Sequence, residues 1–149
     1  MRLVDVYPYR MEQNKVQHLI LKRANDVVYS RQWRMVGGKV QDGEKAFEAA
    51  QRELKEETDL TPLFFWTIPS VNTFYEHQSD TIHHIPAFAA RIKDEDLIEL
   101  NHEHSGWKWI SENAIDRYIV WPEQQRLMKL LGSIVKNNQI LDEWIIAQP

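Results

Sequence analysis

Three glutamates on one stretch of helix-forming sequence are the residues best placed to do chemistry in this chain. Glu53, Glu56 and Glu57 stand at i, i+3 and i+4 within GGKVQDGEKAFEAAQRELKEETDL, residues 37–60. On a helix they share a wedge of roughly 100°. Like charges so spaced repel by ~0.2–0.5 kcal/mol per pair, and acids in the last turns also oppose the helix dipole. A helix selected for stability alone avoids both penalties, so the wedge calls for a positive occupant. Carboxylate oxygens suit a hard divalent cation, Mg2+ or Mn2+, and Mg2+ is commonly held by a few carboxylates, waters and substrate phosphates. Taken alone, a run rich in Glu and Lys reads as a solvated helix face. The residues just before it shift that balance. Gly37 and Gly38 follow the strand-like WRMV as a Gly-Gly turn, and glycine lets backbone atoms approach a ligand closely. A backbone carbonyl beside three convergent carboxylates makes a candidate metal cage.

From Gly38 onward the residues resemble the Nudix box, G-x5-E-x7-R-E-U-x-E-E-x-G-U, where U is bulky and apolar. Gly38, Glu44, Arg52, Glu53, Leu54, Glu56, Glu57 and Leu60 all fall in register. Asp59 stands where the family has glycine; a left-handed residue closes the helix there, and Asp tolerates that conformation better than most. By these positions the chain is identified as a member of the Nudix hydrolases. The resemblance implies an α/β fold, the Nudix α/β/α sandwich with a mixed β-sheet between helices. It also implies hydrolysis of a nucleoside diphosphate linked to another group: water attacks phosphorus and a phosphate or pyrophosphate group departs.

The same resemblance assigns roles. Glu53, Glu56 and Glu57 hold one or more Mg2+ or Mn2+ ions with the Gly37 carbonyl as a further ligand, and Arg52 orients the acidic cluster rather than touching substrate. Glu44 reads as a structural acid or a favourable first-turn charge. Glu103-His104 followed by Trp107 and Trp109 resembles an E-H-x-x-x-x-W pattern found after the box in some Nudix enzymes, where the glutamate is a metal ligand or general base. The expected catalytic set is therefore Arg52, Glu53, Glu57 and Glu103. As a loop acid, Glu103 is expected to complete the site only after substrate brings in metal. His102 and His104 are alternative bases, since histidine titrates near neutrality, although a loop histidine without function is the default for each.

For phosphate contacts the candidates are Arg23 and Lys39, with Arg31 and Arg34 weaker because surface arginine is usually only solvated. Trp33, Phe74 and Tyr75 are candidates to stack on a flat base or pterin ring. His83 and His84 alternate across a strand and cannot easily share a metal, so no zinc site is read here. WRMVGGKV, the Glu103–Trp109 segment and Trp121-Pro122-Glu123-Gln124 look similar to the dihydroneopterin triphosphate pyrophosphohydrolases, also described as dATP pyrophosphohydrolases. Such enzymes convert a pterin or purine triphosphate to the monophosphate and pyrophosphate. The alternatives are a diadenosine polyphosphate hydrolase, an oxidised-nucleotide sanitising pyrophosphatase, or a silent Nudix domain that senses a nucleotide.

The chain's composition agrees with a soluble enzyme. Its 149 residues suit one domain with its own core, and no apolar run approaches the ~20 residues of a membrane span. No signal peptide is read, so a cytoplasmic location is expected. With no cysteine, thiol catalysis, disulfides and cysteine-based zinc sites are excluded. A formal net charge of −4 argues against duplex nucleic acid as partner, leaving a small nucleotide or pterin polyphosphate. A homodimer is possible, with Trp144 as an exposed aromatic for its interface.

The elements that must position these residues follow from pattern. Residues 3–9 and 16–21 alternate as strands, 24–32 is a loop, and 33–36 leads into the glycines. The carboxylate helix is expected over 44–58 with Phe47, Ala50 and Leu54 on its core face, and Pro62 forbids its continuation. Residues 63–75 and 82–91 pair as a long hairpin. A short strand at 106–110 precedes a brief helix capped by Ser111. Pro122 opens a longer helix with Leu127, Leu131 and Ile134 on one face, and Leu141, Trp144 and Ile145 lie on a last helical stretch. Strands alternating with helices imply a mixed sheet covered on both sides.

Overall fold

The computed structural model describes residues 2–147. Alternating apolar residues build the first hairpin, β1 (Leu3–Glu12) with β2 (Lys15–Arg23), and Gln13 and Asn14 close it with φ of 51° and 63°. Both turn residues being left-handed matches the twist of the paired strands. The long hairpin also forms, as β5 (Phe64–Glu76) and β6 (Thr81–Arg91). Its pairing shifts register between Thr67 and Val71, around Pro69, where a missing N–H is tolerated.

β1 is the strand on which the sheet converges. It pairs parallel with β6 and antiparallel with β2, while its first residues pair antiparallel with β4 (Val36–Lys39). β2 in turn carries the two-residue β3 (Trp33–Arg34) and β7 (His104–Ser111). The sheet is mixed and eight-stranded among the described residues.

Helices cover both faces. α1 (Ala46–Thr58) lays Ala49, Ala50 and Leu54 against Val4, Val6, Leu19, Leu21 and Phe88. On the other face α3 (Pro122–Lys136) packs Leu127, Met128, Leu131 and Ile134 against Tyr7, Tyr9, Ile20 and Trp66, joined by the short α2 (Ile115–Tyr118). This is the α/β/α sandwich. No helix among the described residues is long and apolar enough to cross a membrane.

Several local expectations are corrected. Gly37 and Gly38 are not a turn but lie inside β4, paired with Asp5 and Val4; backbone pairing to β1 decides this, and glycine's role there is space. The helix begins at Ala46, because Glu44 is held in a preceding turn by its backbone bond to Gln41. Its core face uses Ala49, with Phe47 only half-buried. Ser111 makes no cap to a backbone amide; its hydroxyl meets the Asn113 side chain, and a 3-10 turn at Glu112–Ala114 precedes α2. The last stretch is a 3-10 turn at Asp142–Trp144 followed by β8 (Ile145–Ala147), which adds to β5. Trp144 therefore faces inward, its ring 6.4 Å from that of buried Trp66 and nearly parallel to it. Asp59 does end α1 in the left-handed region, at φ 61° and ψ 19°.

Leu54 is fully buried under the sheet on the helix that carries the glutamates. Leu54→Ala is expected to lower unfolding free energy by about 2–5 kcal/mol through lost burial and the cavity left behind. Urea unfolding would measure it, and a loss under about 1 kcal/mol would show that this face is not the anchor of α1.

Candidate active site

A cleft of about 630 Å³ opens where α1, β4, the turn before β7 and the start of α3 meet. Glu53, Glu56, Glu57 and Glu103 all line it, with Arg23, Lys39 and Arg52. Their placement follows from local chemistry. Gly38 sits directly against Glu53: a Cβ there would lie 2.1 Å from the Glu53 carboxyl carbon. Only glycine lets this side chain lie flat on the strand.

Arg52 ties the wedge together. Its Nε and Nη2 donate to Glu44 at 2.8 and 3.0 Å, and Nη1 to Glu53 and Glu56 at 2.9 and 3.2 Å. Nη2 also donates to the Lys39 carbonyl at 2.8 Å, which fastens helix to strand. The Arg52 hydrogen bonds hold the Glu44 carboxyl down to about 2. Glu44 is thus the partner that aims the arginine.

Glu57 is the deepest acid, with 1 % of its side chain exposed. Burial above all, then the nearby Glu103 and Glu53, push its carboxyl up to about 10. His104 Nε2 lies 2.5 Å from Glu57 Oε1, and burial, then Arg23, pushes that imidazole down to about 4. Burial thus favours a neutral acid against a neutral ring. His104 is no idle loop residue, since it is the first residue of β7 and fully enclosed; His102 is exposed. Glu103 stands in the turn just before β7. Its carbonyl accepts from Ala24 N–H at 2.9 Å, and its carboxylate lies 3.8 Å from Arg23. One ligand atom from each of Glu57, Glu103 and His104 falls within 4.8 Å of the others.

The rest of the cleft is flat and aromatic. Phe74 and Trp121 line it with rings 6.1 Å apart, beside Met35 and Ile85. The Arg34 guanidinium lies 4.3 Å from the Tyr29 ring and 5.5 Å from that of Trp121. Asp5, Asn72 and Gln124 add buried polar groups to the same lining, and burial raises the Asp5 carboxyl to about 6.

Among the sequence candidates, Arg23, Arg34, Lys39 and Phe74 therefore share the cleft with Gly37, Arg52 and the four glutamates. Trp33 and Tyr75 do not line it. Alternation along β3 turns Trp33 toward Tyr118, 6.0 Å away, while Arg34 faces the cleft. Alternation along β5 leaves Tyr75 exposed, its hydroxyl on Asp80 at 2.8 Å. Arg31 is spent on its own loop, donating to Asn25. Asp5, Tyr29 and Asn72 were missed, and Trp121 and Gln124 were noted only within the segment that carries the subfamily resemblance. Of the missed three, only Asp5 left a clear signal, an acid at an inward position of the alternating strand LVDVYPY.

A model of the NUDIX domain matches residues 1–131. The chain belongs to the Nudix family. As such it is a hydrolase of phosphorus-containing anhydrides. It is 26% identical to the nucleoside triphosphatase NudI of Escherichia coli over 128 residues, covering 80% of this chain and 91% of that protein. In fold it is similar to a Caenorhabditis elegans Ap4A hydrolase, at TM-score 0.76 and 22% identity, over 91% of this chain and 98% of the other. It is also similar to the E. coli dihydroneopterin triphosphate pyrophosphohydrolase, at TM-score 0.71 and 21% identity, over 88% and 94%. Nudix architecture fits the mixed sheet, and at such identities the solved structures speak to fold alone.

The donors present fit a hard divalent cation. Glu57 Oε2 is buried without a hydrogen-bond partner among the described residues, and the surrounding oxygen donors suit Mg2+ or Mn2+ better than a soft metal. Binding there requires Glu57 to lose its proton. The pH dependence has a definite sign. Between about 4 and 6.5 the histidine makes the unfolded chain the larger proton binder, while Glu57 acts the opposite way. Above that, only the Glu57 effect persists: the folded chain keeps a proton that the unfolded carboxylate has lost, so metal-free stability falls as pH rises. Melting in EDTA should therefore drop from about pH 6.5 to 9, and the gain from added Mg2+ should grow over the same span. A flat EDTA profile would contradict the buried neutral acid.

Proposed function

We propose that the chain hydrolyses a nucleoside-triphosphate-like substrate, dihydroneopterin triphosphate or dATP, to the monophosphate and pyrophosphate with Mg2+ or Mn2+. The observation that carries this reading is one cleft with carboxylates and the cationic side chains of Arg23 and Lys39 at one part and flat aromatic walls at the other. Its size suits a small ligand, and the two parts match a polyphosphate joined to a ring. The likeness to NudI supports the same substrate class.

Glu53, Glu56, Glu57 and Glu103, with the Gly37 carbonyl, would hold the cation. A bound divalent ion supplies neutralisation of polyphosphate charge and a lowered pKa for water. Around it the protein's own groups divide the work. Arg23 and Lys39 offset phosphate charge at the cleft wall, and Arg52 keeps Glu53 and Glu56 aimed inward without leaving its place. Glu103 accepts the proton of the attacking water at its carboxylate. Phe74 and Trp121 hold the ring, so that the phosphorus is presented to water in a fixed orientation.

Incubation with Mg2+ and a panel of nucleoside triphosphates, dinucleotides and dihydroneopterin triphosphate tests the reading by its products. Pyrophosphate with a monophosphate is the expected pair. ATP from a dinucleoside tetraphosphate, with triphosphates untouched, would favour the diadenosine polyphosphate reading. Affinity without product would favour a sensor.

Two substitutions follow. Glu57→Gln mimics the neutral acid, so the metal-free protein should stay folded while kcat drops ~10²–10³-fold, the size of one lost preorganised group. Glu103→Gln should depress kcat by a similar factor and leave KM nearly unchanged, the mark of an interaction made mainly in the transition state. Normal turnover by Glu57→Gln would remove the metal assignment; a rise in KM alone for Glu103→Gln would make that residue a binder of substrate.

A further inference from the structure

Asp5 holds a hydrogen-bonding pattern that hydrolysis does not use. The residue is 4 % exposed and stands on the strand at the centre of the sheet. Tyr7 Oη and Asn72 Nδ2 both donate to its Oδ2, at 3.0 and 2.9 Å. Among the described residues none donates to Oδ1. That oxygen lies beside Gly37 of the cleft lining, 3.7 Å from where a Cβ would stand. Gln124, 1 % exposed on the same lining, adds an Oε1 that is buried without a hydrogen-bond partner. Buried acceptors are nearly always matched by donors in native proteins. Here, among the described residues, Gln124 Oε1 is buried and unmatched and Asp5 Oδ1 has no protein donor, on the same cleft lining as the Phe74 and Trp121 rings, against which a flat heterocycle would sit.

We infer that this part of the cleft reads an exocyclic amino group. Asp5 Oδ1 accepts from the amino N–H of the ring, Gln124 Oε1 provides a second acceptor for the same edge, and Asn72 and Tyr7 fix the carboxylate in position. The substrate class is thereby an aminated purine, pyrimidine or pterin rather than its oxo counterpart. A deaminated ring places an oxo acceptor against the acceptor-only Asp5 carboxylate in place of the amino N–H, while the N–H that its lactam form gains lies one ring atom away. Sites built to hydrogen-bond a substrate group reject analogues lacking it far more strongly than apolar pockets do. The assignment rests on the nucleotide-hydrolase reading above.

The test uses pairs that differ by deamination alone, dATP with dITP and dCTP with dUTP, compared by kcat/KM in Mg2+. Binding of dAMP and dIMP, followed through tryptophan fluorescence without turnover, gives an independent readout. The amino member of a pair should be favoured by about 100-fold or more in kcat/KM, and dAMP should bind more tightly than dIMP. Asp5→Asn, which turns one acceptor into a donor, should shrink that ratio by at least about tenfold while turnover still requires metal. The wild-type ratios stand whether or not that variant folds. Equal kcat/KM within both pairs overturns the amino-group assignment and leaves the hydrolase reading intact. No product from any triphosphate, with dAMP still preferred over dIMP, overturns the hydrolase reading and leaves this one. Absence of both product and preference overturns both.

Discussion

The Arg52 guanidinium is the interaction on which the rest of the site depends. Three glutamates within two helical turns repel one another, and the end of α1 is the wrong pole for negative charge. One planar fork meets Glu44, Glu53 and Glu56 and still has a donor for the Lys39 carbonyl. Lysine, a point charge with three donors, lacks that geometry. Arg52 therefore offsets the repulsion while leaving Glu57 facing inward, and it locks the helix to the strand that carries Gly37 and Gly38. The positive charge is set against the outer acids and away from the enclosed Glu57.

Depth divides the acids into two kinds. Glu56 is half exposed and Glu53 rests on Gly38, while Glu57 is enclosed with His104. A buried carboxyl stays neutral unless something positive arrives, so the helix stores its most strongly perturbed acid where a cation would have the greatest effect. The sheet then brings a different chemistry against this one. Gly37 pairs with Asp5 across β4 and β1, so the acidic wedge and the aromatic part meet along a single pair of strands. The acids and the aromatic wall share one scaffold.

The carboxylate wedge, the arginine within it, the two-sided helical cover and the long hairpin were legible in the sequence because each rests on local spacing: 3.6-residue periodicity for the helices, alternation for the strands, and the fixed box for the acids. Asp59 closing α1 in the left-handed region is equally local. The Gly-Gly segment was misread because a pair of glycines signals a turn in isolation; its pairing with β1, distant in sequence, makes it strand. For the same reason the C-terminal segment, read as helix from Leu141, Trp144 and Ile145, becomes β8 once β5 offers an open edge.

The sequence by itself determined the family and the acidic cluster, since charges three and four residues apart must share a helix face whatever surrounds them. Tertiary structure decided which aromatics line the cleft: strand register turns Trp33 and Tyr75 away and admits Phe74, while the start of α3 brings Trp121 from far along the chain. It also decided that His104 is a buried partner of Glu57 and that Asp5 faces the cleft. These roles depend on burial and on contacts between residues tens of positions apart, and side-chain type and local spacing contain neither.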